Sequence, residues 1–88
     1  AFSFYLTAAE KGHPGAQYLA ALCFRDGKGT EKSFSRAVYF FELAAKQKDS
    51  DAQYLLGCLY QKGDEKEKIP PNLERAFQLF LDLSERLQ

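Results

Sequence analysis

Catalysis near neutral pH needs a placed acid, base or nucleophile, and few residues of this sequence offer one. The only histidine, His13, lies in Gly12-His13-Pro14-Gly15, where a solvated turn residue or helix N-cap is the simplest reading. Cys23 and Cys58 are the two thiols. Neither has a histidine nearby in sequence or a C-x-x-C partner, so neither a redox dithiol nor a zinc site is supported. Inside apolar runs they read as small core hydrophobes and free thiols, which suits a reducing, cytoplasmic setting. Arg25-Asp26-Gly27-Lys28-Gly29-Thr30 has the composition of a phosphate loop. It lacks the G-x-x-x-x-G-K-[ST] spacing and the preceding strand that would let backbone amides cradle phosphates. Asp64-Glu65-Lys66-Glu67-Lys68 mixes signs and reads as a solvated loop. No metal, cofactor or catalytic residue is therefore assigned.

The elements that carry these residues come from a short chain. Its 88 residues are 45% hydrophobic and 15% aromatic, enough for one small domain with a core. Twelve Lys and Arg balance twelve Asp and Glu, so no net field would steer it onto nucleic acid or an anionic membrane. The apolar stretches, such as Ala37–Phe41, are too short to span a bilayer. No charged-then-apolar leader is visible, and a helical pattern begins at once without an initiating Met. This suggests a piece of a longer protein.

Apolar residues recur at helical spacing in five segments: Phe2–Lys11, Gly15–Asp26, Phe34–Gln47, Asp51–Lys62 and Leu73–Leu87. Turn chemistry separates them. Gly12, Gly27 and Gly63 follow three of the segments, where a left-handed residue ends a helix cheaply. Pro14 opens the second without losing a needed donor. Ser33, Asp49 or Ser50, and Asn72 are placed as N-caps. Strict alternation is absent, so the chain is all-α.

Two of these segments nearly repeat. AQYLAALCFRDG at Ala16–Gly27 returns as AQYLLGCLYQKG at Ala52–Gly63, 36 residues on, with five of twelve positions identical. Ala8-Ala9 aligns with Ala44-Ala45 at the same offset. Ser33-Phe34-Ser35-Arg36-Ala37 matches Asn72-Leu73-Glu74-Arg75-Ala76 at an offset of 39. The extra three residues belong to the loop at 64–71, where an insertion is tolerated because closure entropy grows slowly with length. The helix order is B-A-B-A-B, with A and B the two helices of a recurring hairpin. The expected divisions are a partial repeat over 1–12, a repeat over 13–48 and a repeat over 49–88 that holds the insertion. Such an order is the signature of a helical solenoid.

The small residues Ala21, Gly57, Ala37 and Ala76 should mark the closest approach of antiparallel helices. Larger side chains there would cost about 1–3 kcal/mol. Phe24, Phe40, Phe41, Tyr60, Phe77 and Phe80 are expected to fill the remaining core. Phe2, Phe4, Tyr5 and Leu6 at one end, and Phe77, Leu79, Phe80, Leu81 and Leu83 at the other, leave more apolar surface than a terminal helix needs. That excess fits end-to-end packing with neighbouring repeats, or contact with another chain.

The pattern Ala16-Gln17-Tyr18…Phe24…Gly27-x-Gly29…Ala37…Ala44-Ala45…Ala52-Gln53-Tyr54-Leu55-Leu56-Gly57…Tyr60…Gly63 resembles the Sel-one-like repeat, a relative of the tetratricopeptide repeat, over essentially the whole chain. Ala20-Ala21 departs from the family's Leu-Gly pair, which Leu56-Gly57 keeps. Thr30 stands where the family often has Val. Lys48 stands where Gly12 ends the equivalent helix. Some cysteine-rich relatives pair cysteines within each hairpin; each complete hairpin here has one, so that pairing does not carry over. The resemblance implies a right-handed α-solenoid of about two and a half repeats whose A helices line the concave side. On that geometry the free A-helix face comprises Tyr18, Leu22, Arg25 and Asp26, then Tyr54, Cys58, Gln61 and Lys62. Aromatic, aliphatic and charged residues together suit a peptide groove, although Tyr18 and Tyr54 could instead pack between repeats. The implied function is a non-catalytic scaffold or adaptor for a protein or peptide partner. Two rivals remain: an intramolecular spacer or regulatory segment of a larger enzyme or receptor, and a hydrolytic or small-ligand protein, which would need a deep polar pocket.

Overall fold

The computed structural model describes residues 1–87 and contains five helices: α1 (Phe2–Glu10), α2 (Pro14–Asp26), α3 (Phe34–Lys46), α4 (Ser50–Lys62) and α5 (Leu73–Arg86). Their ends fall within one residue of those read from the sequence. No strand is present among the described residues, and one isolated bridge, Asp64 to Ile69, pinches the inserted loop.

Capping chemistry sets the starts. Ser33 Oγ accepts from Arg36 N (3.2 Å), Asp49 Oδ1 from Ala52 N (2.9 Å) and Asn72 Oδ1 from Arg75 N (3.0 Å). Each satisfies an amide that the helix leaves without an internal partner. His13 occupies the N-cap position of α2 with no side-chain cap, and Pro14 begins that helix. The ends of α1 and α3, the first two B helices, share one geometry. Gly12 N donates to Ala9 O and His13 N to Ala8 O; Lys48 N donates to Ala45 O and Asp49 N to Ala44 O. This paired closure needs a left-handed residue. Gly12 supplies it at φ 95°, and Lys48 adopts it at φ 67° despite its side chain.

Helices adjacent in sequence pack against each other, giving a slab of 34 × 30 × 14 Å. Its core is rich in alanine: Ala9, Ala20, Ala21, Ala37, Ala44, Ala45 and Ala52 are buried with Phe24, Phe40, Phe41, Leu56 and Leu79. The small residues sit where expected, with Ala21, Ala37, Gly57 and Ala76 all buried. A Cβ on Gly57 would lie 2.6 Å from Phe80 Cε1, so the absent side chain makes room for that ring. Phe24 and Phe40 stack with centroids 5.7 Å apart, a favourable offset contact beyond their area burial. Phe77 departs from expectation. It is 65% exposed rather than core, because its sector of α5 faces away from α4, whereas Ala76 and Leu79 face inward.

The repeated glutamines do work that sequence reading left unassigned. Gln17 and Gln53 are buried. Gln17 Nε2 donates to Ala9 O (3.2 Å), and its Oε1 accepts from Gln47 Nε2 (3.0 Å). Gln53 Nε2 donates to Asp82 Oδ2 (2.8 Å), and its Oε1 accepts from Arg86 Nη2. Gln47 and Arg86 are themselves equivalent at the 39-residue offset. In both hairpins, then, the A-helix amide is held by the last turn of the B helix or the residue just beyond it. No buried side-chain N or O lacks a partner among the described residues, as a native interior requires.

Candidate functional site

The two expected stripes lie on α2 and α4, but their residues do not form one uniform surface. Tyr18 is half-buried with its ring 5.9 Å from Phe41, and Tyr54, 54% exposed, lies 6.0 Å from Phe80. Each tyrosine therefore rests on the B helix that follows it in the chain. Leu22 is half-buried and lines a recess of about 450 Å³ with Phe2, Tyr5 and Leu19, between α1 and α2. Cys58 is half-buried and Gln61 exposed; both thiols are free.

Arg25, Asp26 and Lys62, the C-terminal members of the stripes, do converge. They line a cavity of about 370 Å³ between the ends of α2 and α4, with Phe34, Ala37 and Leu59 as apolar wall. Lys32, Asp64, Lys66 and Glu67 complete its polar rim. The charge there is asymmetrically engaged. Arg25 forks onto Asp26, with Nε to Oδ1 at 2.9 Å and Nη2 to Oδ2 at 3.1 Å. This pairing raises the guanidinium pKa and holds the Asp26 carboxyl below its usual value. Asp64 Oδ2 accepts from Glu67 N (2.9 Å). Asp26 is thus ion-paired, whereas Asp64 is engaged only by a neutral donor. Lys32, Lys62 and Lys66 form no close ion pair among the described residues. Lys32 and Lys66 still help to lower the pKa of the Asp26 and Glu67 carboxyls through space.

Glu67 has a role that its place in a mixed-charge run conceals. Its carboxylate accepts from Phe34 N, from Ser35 N (3.3 Å) and from Ser35 Oγ (2.9 Å). Those bonds, led by the one from Phe34 N, lower its pKa. An anion at a helix N-terminus is stabilised by unpaired amides and by the helix dipole. The inserted loop therefore reaches back to cap α3 of the preceding repeat and to wall the cavity. Sequence reading missed this because the partners are more than thirty residues apart. The insertion was the one available signal.

A second polar link joins three helices. Tyr60 Oη on α4 donates to Glu42 Oε2 on α3 (2.6 Å), and Arg75 Nη2 on α5 donates to Glu42 Oε1 (2.7 Å). Burial first, and the carboxylate second, push the Tyr60 phenol up to about 12.

Comparison with known proteins matches residues 1–13, 14–49 and 50–81 to the Sel1 repeat. The chain belongs to the Sel1 repeat family. Two solved structures share its course. One is c5321, a protective antigen of uropathogenic Escherichia coli with an SLR fold, at TM-score 0.87 and 28% identity over 97% of this chain and 18% of that one. The other is a Sel1 repeat protein from Oxalobacter formigenes, at TM-score 0.83 and 24% identity over 96% of this chain and 33% of that one. The all-α solenoid expected from the sequence is thus the fold of Sel1 neighbours. Among curated proteins, Chitin synthase regulatory factor 3 of Schizosaccharomyces pombe is 33% identical over 63 residues, covering 72% of this chain and 7% of that protein. Chitin synthase regulator SKT5 of Saccharomyces cerevisiae is 35% identical over 57 residues, or 65% of this chain and 8% of that protein. DAP3-binding cell death enhancer 1 of Rattus norvegicus is 45% identical over 38 residues, or 43% and 8%. The chain spans less than a tenth of the length of these curated relatives. Sel1 repeats generally mediate protein–protein interaction and generally act as non-catalytic scaffolds.

Proposed function

We propose that this Sel1 segment, with a partial repeat over 1–12 and repeats over 13–48 and 49–88, is a non-catalytic adaptor that binds a peptide of a partner protein along its A-helix face. The observation that carries this reading is the convergence of Arg25, Asp26 and Lys62 on one cavity. That cavity's wall is apolar, and its lining carries four cations, Arg25, Lys32, Lys62 and Lys66, against three carboxylates, Asp26, Asp64 and Glu67. A peptide segment pairing a carboxylate with an apolar side chain matches this lining, the acid meeting Lys32, Lys62 or Lys66 and the side chain Phe34 and Leu59. The balanced charge of the whole chain argues against a nucleic-acid partner, and the regulatory names of the yeast relatives accord with a role outside catalysis. Tyr18, Leu22, Tyr54, Cys58 and Gln61, which lie outside this cavity, are further contacts on this reading, made along the same two helices.

The test titrates the ¹⁵N-labelled chain with a capped peptide of alternating Glu and Leu, and with its Lys-Leu counterpart. The acidic peptide should shift the amides of Lys62, Gly63 and Phe34, with an affinity that falls as salt rises. Lys62→Glu should weaken the shifts strongly while lowering the urea midpoint by less than about 1 M, since it places an acid in the last turn of α4. Equal response to both peptides, or shifts unaffected by that substitution, would defeat the assigned face. The spacer reading is favoured instead by the bare apolar surface of α5. On that reading the isolated segment binds neither peptide.

A further inference from the structure

Internal repetition makes α3 a template for α5. At the 39-residue offset, Phe34, Val38 and Glu42 of α3 correspond to Leu73, Phe77 and Leu81 of α5. In α3 this sector is covered by the following hairpin. Phe34 shares a cavity wall with Leu59 of α4, Val38 packs on the core, and Glu42 bonds Tyr60 and Arg75. In α5 the same sector is bare, with Leu73 64%, Phe77 65% and Leu81 46% exposed. The flanking positions agree. Phe41 and Ala45 are buried, whereas their counterparts Phe80 and Ser84 are half-buried and exposed.

The two existing junctions also show how the covering helix is matched to the sector. In the first, Leu6 of α1 and Phe24 of α2 line one recess, with the Arg36 guanidinium 5.8 Å from the Phe24 centroid. In the second, Glu42 stands at the Leu6 position, Tyr60 at the Phe24 position, and Arg75 lies 6.0 Å from the Tyr60 centroid. Leucine goes with a phenyl ring and glutamate with a phenol. This is the pairing that polar satisfaction favours, because the half-buried Tyr60 hydroxyl gains from an acceptor held beside it.

We infer that the Leu73–Phe77–Leu81 face of α5 is a docking surface for the first helix of a further repeat, one of the α2 kind, carrying phenylalanine rather than tyrosine where it meets Leu81. Leu81 offers no acceptor, so a phenol there would lack the bond that Glu42 gives Tyr60. The surface continues an interface already made twice in this chain, and its occupant is defined by the residue that differs between the two.

The experiment appends a second copy of residues 13–48 directly after Leu87, which keeps the repeat register. The chain has no tryptophan, so Phe77→Trp reports on the surface alone. Its emission should move to shorter wavelength in the extended chain, and the urea midpoint should rise. Phe24→Tyr in the appended copy should reduce the folded-to-unfolded ratio about tenfold with Leu81 in place, and Leu81→Glu should recover most of that loss. Unmoved emission in the extended chain would overturn the inference. So would strictly additive effects of the two substitutions. A concentration-dependent emission shift in the unextended chain, with dimer formation, would overturn it in favour of self-association through α5.

Discussion

Gly27 and Gly63 end equivalent helices 36 residues apart, yet replacing each by alanine should have very different consequences. Gly27 is left-handed helical at φ 74°, ψ 36°, and a Cβ there would meet Lys32 Cβ at an ordinary 3.4 Å. Alanine in that conformation costs about 1–2 kcal/mol, partly offset by roughly 0.4–1 kcal/mol from a less flexible unfolded chain. Gly63 lies at φ 69°, ψ −167°, a region essentially reserved for glycine and worth about 1–3 kcal/mol of strain to other residues. Its added Cβ would also meet Ile69 O at 2.6 Å, Pro71 N at 2.7 Å and the Pro70 carbonyl carbon at 2.9 Å. These are backbone atoms that cannot rotate aside, so overpacking adds about 1–3 kcal/mol. The net loss for Gly63→Ala is then about 3 kcal/mol, against about 1 kcal/mol for Gly27→Ala. With a urea slope of about 1.5 kcal/mol/M, the Gly63 variant should lose about 2 M in midpoint and the Gly27 variant less than about 1 M. Urea unfolding followed by far-UV circular dichroism measures both. Equal losses would refute the reasoning, since they would mean that the inserted loop does not close around Gly63.

Lys48→Gly should stabilise the chain by roughly 0.5 kcal/mol or more, because it relieves a left-handed lysine. The Lys48 carbonyl still accepts from Arg86 Nη1, and the exposed pair with Asp82 at 3.8 Å contributes little. A lower thermal midpoint would contradict this. Glu67→Gln should flatten the acid limb of the stability profile. The native carboxylate is held below its ordinary value of 4.5, so its contribution is present above that pH and fades as pH falls through the lower folded value. Urea midpoints of both proteins between neutral and acid pH give the difference. Parallel profiles would show that Glu67 does not cap α3.

Which features were legible in the sequence follows from the range of the interactions that fix them. Helix periodicity, the caps Ser33, Asp49 and Asn72, and the glycine stops act within a few residues, and the repeat doubles each signal. The small residues at the helix crossings were readable for the same reason, since Ala21 and Gly57 occupy one place in two copies. The reach of Glu67 to α3, the clamping of Gln17 and Gln53, and the parting of Arg25, Asp26 and Lys62 from the rest of their stripes needed tertiary structure. A helical pattern says which residues share a face, but not which neighbour covers that face. Val38 and Phe77 make the point: equivalent in sequence and both apolar, one packs against the core and the other lies open to solvent. Burial belongs to a pair of surfaces, and a linear pattern describes only one of them.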